Sequence, residues 1–218
     1  MSGESAEAGA LIRSAAALGV TLDAAMARRL LVLLDELARW NRSYNLTSIT
    51  ARAEMITHHV LDSLAVQPLL AGERAIDVGT GAGFPGLPLA IVEPTRRFTL
   101  LDSNGKKVRF VAHTARTLGL GNVEPLHARA EAWAPARAFD TVVARAFAPL
   151  AELVKQVAGL CGPSTRVLAM KGRRSADERA GLPADWLIEE DRELHIPGLG
   201  EERHVIVLRR SAAVAPLR

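Results

Sequence analysis

The chain is short of cysteine and of aromatic side chains, and each shortage excludes something. One cysteine, Cys161, in 218 residues permits neither an internal disulfide nor a cysteine-based metal cluster. Aromatic residues make up only 4%, so a core must be built mainly from aliphatic side chains and alanine. No apolar run approaches the ~20 residues that span a bilayer. The opening MSGESAEAGA has neither the basic start nor the apolar stretch of a secretory signal. A folded, cytoplasmic protein without a membrane segment is expected, with one good core and a small appended element.

Charge is modest in total and uneven in place. The formal net charge is +3. Residues 1–74 hold 7 basic and 8 acidic side chains, leaving 20 and 16 for 75–218. Two windows carry cations and no acid: 104–116, with Lys106, Lys107, Arg109 and Arg116, and 166–174, with Arg166, Lys171, Arg173 and Arg174. Arginine is abundant here, but abundance does not clear the acids from both windows. Such clusters suit a polyanionic partner.

The stretch Arg74-Ala-Ile-Asp-Val-Gly-Thr-Gly-Ala-Gly-Phe-Pro-Gly-Leu-Pro-Leu-Ala90 carries the most chemistry. It reads as a short apolar strand, a glycine loop and the start of a buried helix, with Pro88 suited to a first turn. This arrangement brings bare backbone N–H groups to a nucleotide-like cofactor. Gly81, Gly83 and Gly86 satisfy the dinucleotide spacing G-x-G-x-x-G. From Asp77 the same residues read D-x-G-x-G-x-G, the loop of S-adenosylmethionine-dependent methyltransferases. Electrostatics favours the second reading. Asp77 would repel a pyrophosphate, whereas a carboxylate can hold the ammonium of a methionine moiety. A purely structural turn would explain one glycine, not four behind an acid.

Residues 1–73 read as a helical region. Leu30, Leu31, Leu34, Leu37 and Trp40 recur at helical spacing after the capping segment Thr21-Leu-Asp23. A polar break at 41–48 precedes a second helix expected from about Arg52 to Leu70. His58, His59 and Asp62 resemble a metal cluster, but nothing else supports one, and capping or core-edge roles are expected. From 74 to 210 the pattern alternates strand and helix, implying a mainly parallel sheet. Strands are expected at Ala75–Val78, Phe98–Asp102, Val123–His127, Asp140–Ala144 and Arg166–Met170. Helices are expected at Gly86–Val92, Lys106–Leu118, near Glu131, at Leu150–Leu160 and at Ala176–Gly181. Val108, Val111, Ala112, Ala115 and Leu118 should form the buried face of the second. Trp186–His195 and Arg203–Arg209 read as a closing hairpin, and 211–218 as a loose tail.

In doubly wound sheets ligands sit past the carboxyl ends of the strands. Asp102 there could accept from two ribose hydroxyls, Glu131 from an adenine amino group, and Arg145 could orient a cofactor carboxylate or a phosphate. Helix capping is the bland alternative for Asp102. Phe84, Trp133 and Phe147 are candidate base stackers, with core packing the simpler role for each.

Several segments fall in one order: Trp40-Asn-x-x-Tyr-Asn-Leu-Thr47, His59-x-x-Asp62-Ser63, Asp77 to Gly86, Leu101-Asp-Ser103 with Lys106-Lys107, Ala130-Glu131, Ala144-Arg-Ala146, Met170-Lys-Gly172 and Glu202-Arg-His204. Together, from about Trp40 to Arg209, they resemble the RsmG (GidB) family of bacterial small-subunit rRNA guanine-N7 methyltransferases. The resemblance implies an α/β class I methyltransferase fold, Rossmann-like and ending in an antiparallel hairpin, with an N-terminal helical extension. It implies S-adenosyl-L-methionine as cofactor, and 16S rRNA of the small ribosomal subunit as partner, methylated in its decoding-region loop. Cofactor contacts are expected at Asp77, Gly79, Gly81, Gly83, Phe84, Asp102, Ser103, Ala130, Glu131 and Arg145. RNA contacts are expected at Lys106, Lys107, Arg109, Lys171, Arg173 and Arg174. Arg145 and Lys171 are candidates for positioning substrate; no general base and no metal are required, and a monomer is expected. The alternatives are a methyltransferase for a small molecule or protein, and a non-catalytic RNA-binding assembly factor.

Overall fold

The computed structural model describes residues 2–145, 149–172 and 181–211. Two helices open the chain, α1 (Ser2–Ala17) and α2 (Ala24–Tyr44). Asp23 caps α2, its Oδ1 accepting from Met26 N at 2.7 Å, a contact worth about 1 kcal/mol. The leucine stripe does what its spacing dictates. Leu30, Leu33, Leu34 and Leu37 are fully buried, each worth roughly 1.5–3 kcal/mol.

The expected single helix over 52–70 is instead broken. It begins as α3 (Arg52–Met55), widens into a π-helical segment at Ile56–Leu61, resumes as α4 (Asp62–Leu64) and ends in a 3-10 turn at Gln67–Leu69. Pro68 sits in that last turn, where a continuing α-helix would need an N–H it lacks. Apolar spacing cannot register the one-residue excess of a π segment.

Among the described residues seven strands follow: β1 (Arg74–Val78), β2 (Arg97–Asp102), β3 (Val123–His127), β4 (Phe139–Arg145), β5 (Cys161–Lys171), β6 (Trp186–Glu193) and β7 (His204–Arg210). They form one sheet in the order β3-β2-β1-β4-β5-β7-β6. The first five strands are parallel, while β7 runs antiparallel to both β5 and β6. This is the expected arrangement, with β5 starting earlier than residue 166. One edge strand, β3, is half exposed and contains Pro125, which suits an edge. The other, β6, is blunted by Glu189, Glu190, Asp191 and Arg192.

Alternation along the strands sorts two cores. Phe98, Leu100, Val143, Leu168, Val205 and Val207 join α1, α2, α5 (Gly86–Val92) and α6 (Gly105–Thr117) on one face. Ile76, Leu101, Val142, Val167 and Ile206 join α7 (Leu150–Val157) on the other. The N-terminal helices therefore share a core with the sheet rather than standing apart. On α6 the buried residues are Phe110, Val111, Thr114 and Ala115, a face turned slightly from the expected one, because α2 lays Trp40 against Phe110. The helix expected at 176–181 and the tail at 212–218 lie outside the described residues.

Candidate active site

The sheet order reverses between β1 and β4, each of which pairs onward in the opposite direction. A cleft of about 670 Å³ opens there, past the carboxyl ends of the parallel strands. Its floor is the glycine loop 79–82 with Phe84; its walls are the loop 46–49, His58, His59 and Asp62 on one side, and Arg145, Lys171, Arg203 and His204 on the other. Lys107 reaches in from α6. On that helix Lys107 shares a face with Phe110, Val111 and Thr114, whereas Lys106 and Arg109 are exposed.

Asp77 builds the loop. It is 1% exposed, and its Oδ2 accepts from Thr80 Oγ1 at 2.6 Å and Gly86 N at 2.8 Å. Oδ1 is buried and has no hydrogen-bond partner. Desolvation dominates its titration and pushes its pKa up to about 6, against the pull of those two donors. Gly79 N and Thr80 N both donate to Leu101 O, at 2.8 and 3.0 Å, tying the loop to β2. Asp102, at the end of β2, accepts from Gly81 N at 2.9 Å through Oδ2 and from Asn104 N at 2.8 Å through Oδ1. Two glycines are required for space, and Gly83, at φ 83°, for dihedral freedom as well. A Cβ on Gly86 would stand 2.7 Å from Leu100 Cγ, and one on Gly83 2.3 Å from Leu87 Cδ1.

The opposite wall turns on Asp62, whose side chain is 3% exposed. Arg145 Nη1 donates to its Oδ2 at 3.0 Å and to His58 O at 2.9 Å. Arg203 Nε lies 3.3 Å from Oδ1. One carboxylate from the helical region thus faces two guanidiniums from β4 and the hairpin. Arg145 also sits over the Phe84 ring at 5.7 Å. His59 stacks on that ring's other neighbourhood, centroids 4.8 Å apart. Burial first, then Arg145, lowers the His59 pKa to about 4, so its ring is neutral at pH 7. Thr47 Oγ1 lies 3.0 Å from His59 Nε2, and Asn41 grips the Thr47 backbone at both N and O at 2.9 Å.

A family model described as rRNA small subunit methyltransferase G (GidB) matches residues 26–206. This chain belongs to that family. Curated methyltransferase G relatives include one from Pseudomonas aeruginosa PAO1, 46% identical over 93% of this chain and 95% of its own length. Another, from Nitrosococcus oceani, is 47% identical over 88% and 90%. Among solved structures, TrmN from Thermus thermophilus has a TM-score of 0.56 at 20% identity, covering 72% of this chain and 53% of its own. A SAM-dependent methyltransferase from Aquifex aeolicus has 0.53 at 16%, covering 73% and 94%. At those identities the likeness concerns the fold.

The residues present fit the cofactor of a GidB-family methyltransferase. The loop's backbone is open to the cleft, since a Cβ on Gly81 would meet nothing nearer than Gly79 O at 3.9 Å. Beneath it Asp77 keeps an unpartnered acceptor oxygen, and each Asp102 oxygen accepts a single bond from the chain, leaving lone pairs to spare. Of the expected cofactor residues, Gly79, Gly81, Phe84 and Arg145 line the cleft, with Asp77, Gly83 and Asp102 supporting it from below. Ser103 is exposed, Ala130 is buried, and Glu131 is half exposed with its carboxylate 3.8 Å from Arg129; none of the three is in the cleft lining. Arg145 is anchored by protein partners, a constraint the sequence reading lacked. Phe84 is 2% exposed, a core residue as placed, and Trp133 is partly buried at the core's edge, packed against Phe139. Phe147, Arg173 and Arg174 lie outside the described residues. Thr47, His59, Asp62 and Arg203 were given no role in the site by sequence reasoning, although each falls in a segment that carries the family resemblance.

Two outcomes follow for the paired carboxylates. Asp77 binds a proton more readily folded than unfolded, so its contribution is present below about pH 4 and is lost as pH rises through about 6. His59 runs the other way, its contribution growing from about pH 4 to its unfolded value near 6.5. Asp77→Asn removes only the first trend, so urea-unfolding stability of the variant minus that of wild type should rise between pH 4 and 6. A flat difference would contradict the buried ionisation. Asp62→Ala should lower stability by on the order of 2–3 kcal/mol, since it strips charged hydrogen bonds from a buried acceptor and leaves Arg145 and Arg203 facing each other. Denaturant midpoints check it.

Proposed function

We propose that this protein transfers a methyl group from S-adenosyl-L-methionine to guanine N7 of 16S rRNA, acting in the cytoplasm on the small ribosomal subunit. The observation that carries the reading is that the family match spans both the glycine loop braced by Asp77 and the cationic rim of the same cleft. A monomeric enzyme is part of this reading.

When bound, S-adenosylmethionine supplies an electrophilic methyl group on a sulfonium sulfur. In this reading Gly79 and Gly81 present the loop backbone to the cofactor, Asp77 places negative charge beneath its ammonium, and Asp102 accepts from its ribose hydroxyls. Ala130 and Glu131 would serve the adenine end. Guanine N7 carries a free lone pair, so none of the chain's residues need remove a proton before attack. The neutral His59 is consistent with that, being no proton acceptor at pH 7 in an already cationic corner. What the chain supplies is placement of N7 against the methyl group, an effect worth up to about 7–11 kcal/mol in favourable cases. Arg145 and Lys171 are the groups positioned to orient the base or its phosphate.

RNA phosphates would meet Lys106, Lys107, Arg109 and Lys171, with Arg173 and Arg174 extending that edge. Two parts of the basic windows do not belong to it. Arg166 donates to Leu69 O at 3.2 Å, about 16 Å along β5 from Lys171. Arg116 lies about 15 Å along α6 from Lys106.

Tritiated methyl transfer to unmethylated small subunits, free 16S rRNA and protein, followed by nucleoside analysis, tests the reading. A labelled 7-methylguanosine peak is expected; label in protein, or none despite RNA binding, would favour the alternatives. Asp102→Ala should weaken S-adenosylhomocysteine binding by about tenfold or more, from two lost hydrogen bonds to a charged acceptor, as read by calorimetry. Replacing Lys106 and Lys107 by Ala should leave cofactor binding unchanged. It should reduce the slope of log RNA affinity against log salt by ~0.7–0.9 for each lost contact; an unchanged slope removes α6 from the RNA edge.

A further inference from the structure

Of the aromatic side chains expected to stack on RNA, the two among the described residues pack against the protein, and another aromatic is left in the open. Phe84 and Trp133 are packed inward, whereas Tyr44, the one tyrosine in the chain, is 43% exposed. Its ring is not loose. Tyr44 lies 5.2 Å from Trp40 at 30°, and Trp40 lies 5.6 Å from the fully buried Phe110 and 5.0 Å from His113. A chain of ring contacts runs from the core to the surface and ends at the exposed Tyr44.

Two observations place that ring at the mouth of the cleft. Helices α2 and α6 run antiparallel, since Glu36 Oε2 meets His113 Nε2 at 2.8 Å and Trp40 meets Phe110. Continued by one turn on each helix, that pairing runs from Tyr44 toward Lys106 and Lys107, in a segment without an acid. Immediately after Tyr44 the chain reverses at Asn45, with φ 49°. Asn41 then clamps Thr47, and the loop 46–49 becomes cleft wall. An exposed, pre-ordered ring in line with two lysines and continuous with the site matches the chemistry of a single-stranded nucleic acid, whose unstacked bases need a π-face and whose phosphates need cations.

We propose that Tyr44 is the stacking platform for an RNA base next to the target guanine, with Lys106 and Lys107 on the adjoining phosphates. This rests on the RNA-methyltransferase reading of the same cleft. The chain of ring contacts gives the platform its rigidity, so little rotamer freedom is lost when a base lands on it.

Tyr44→Leu keeps an apolar contact with Trp40 and removes the π-face; Tyr44→Phe keeps both. Binding to unmethylated small subunits is measured for each across a salt series, with melting curves and S-adenosylhomocysteine titration as controls for fold and cofactor site. Tyr44→Leu should weaken subunit binding about 5- to 100-fold, the range for losing one stacked base, with both controls and the salt slope unchanged because stacking releases no counterions. Tyr44→Phe should bind as wild type. Unchanged affinity in Tyr44→Leu overturns the proposal, as does Tyr44→Phe falling with it, which would mean the hydroxyl rather than the ring is read. Wild-type protein that neither binds nor methylates small subunits would overturn the RNA reading itself, and the platform with it.

Discussion

The contact on which the active region depends is a buried carboxylate holding a loop to a helix. Asp77 Oδ2 takes Thr80 Oγ1 and Gly86 N together, fixing both ends of the glycine loop from beneath. That carboxylate is desolvated strongly enough to raise its pKa to about 6, so the loop is secured at an electrostatic cost. The surrounding packing tolerates little slack. Gly83 and Gly86 have no space for a Cβ against Leu87 and Leu100, which makes them packing residues as much as ligand-binding ones. Gly79, Gly81 and Gly83 stand at φ 69°, 60° and 83°, where a side chain would strain the backbone. One motif thus uses glycine in two ways, and Gly83 in both. The loop is held by contacts from the chain itself, which lowers the ordering cost of binding through its backbone N–H groups.

Asp62 plays the matching part on the other wall. The sheet contributes Arg145 and Arg203, and by themselves two guanidiniums over one cleft would repel. The carboxylate comes from the N-terminal helical region, at the end of the π segment that also turns His59 against Phe84. Removing one residue per turn from that segment would rotate His59 and Asp62 by roughly 100° relative to each other's observed positions. The π segment is therefore what lets a helix packed by Leu61 and Leu64 also present polar groups to the cleft. The helical region is part of the site, because its core merges with one face of the sheet.

Most of the sheet was legible because strands alternate with period two and their ends carry recognisable residues. The order of β1 to β5, the closing hairpin and the α2 cap at Asp23 all follow from local spacing. The misses are of another kind. A π segment adds a residue without altering composition, so 52–70 read as one helix. The basic window 166–174 looked continuous in sequence, yet strand rise carries Arg166, midway along β5, about 16 Å from Lys171 and onto Leu69 O. The pairing of Asp62 with Arg145 spans 83 residues, and no periodicity encodes such a contact. Tyr44 was passed over because exposure of an aromatic at a helix end depends on what packs beside it, here Trp40.

The charges are layered, and the layering orders the events in the cleft. Asp77 and Asp102 lie beneath the glycine loop, while Lys107, Arg145, Lys171 and Arg203 stand around the opening. A cofactor bearing an ammonium, a sulfonium and one carboxylate has a net positive charge, so the floor attracts it and the rim favours only its carboxylate. At an effective dielectric near 20, a pair of charges 6 Å apart interacts by about 3 kcal/mol, so the acid beneath is needed to offset the cations above. A polyanion sees the reverse, drawn to the rim and kept from the floor. Asp62 moderates the rim by neutralising part of Arg145 and Arg203. A single opening can then hold a cationic cofactor below and a polyanionic substrate above, each in the field that suits it, with the methyl group and its acceptor meeting between them.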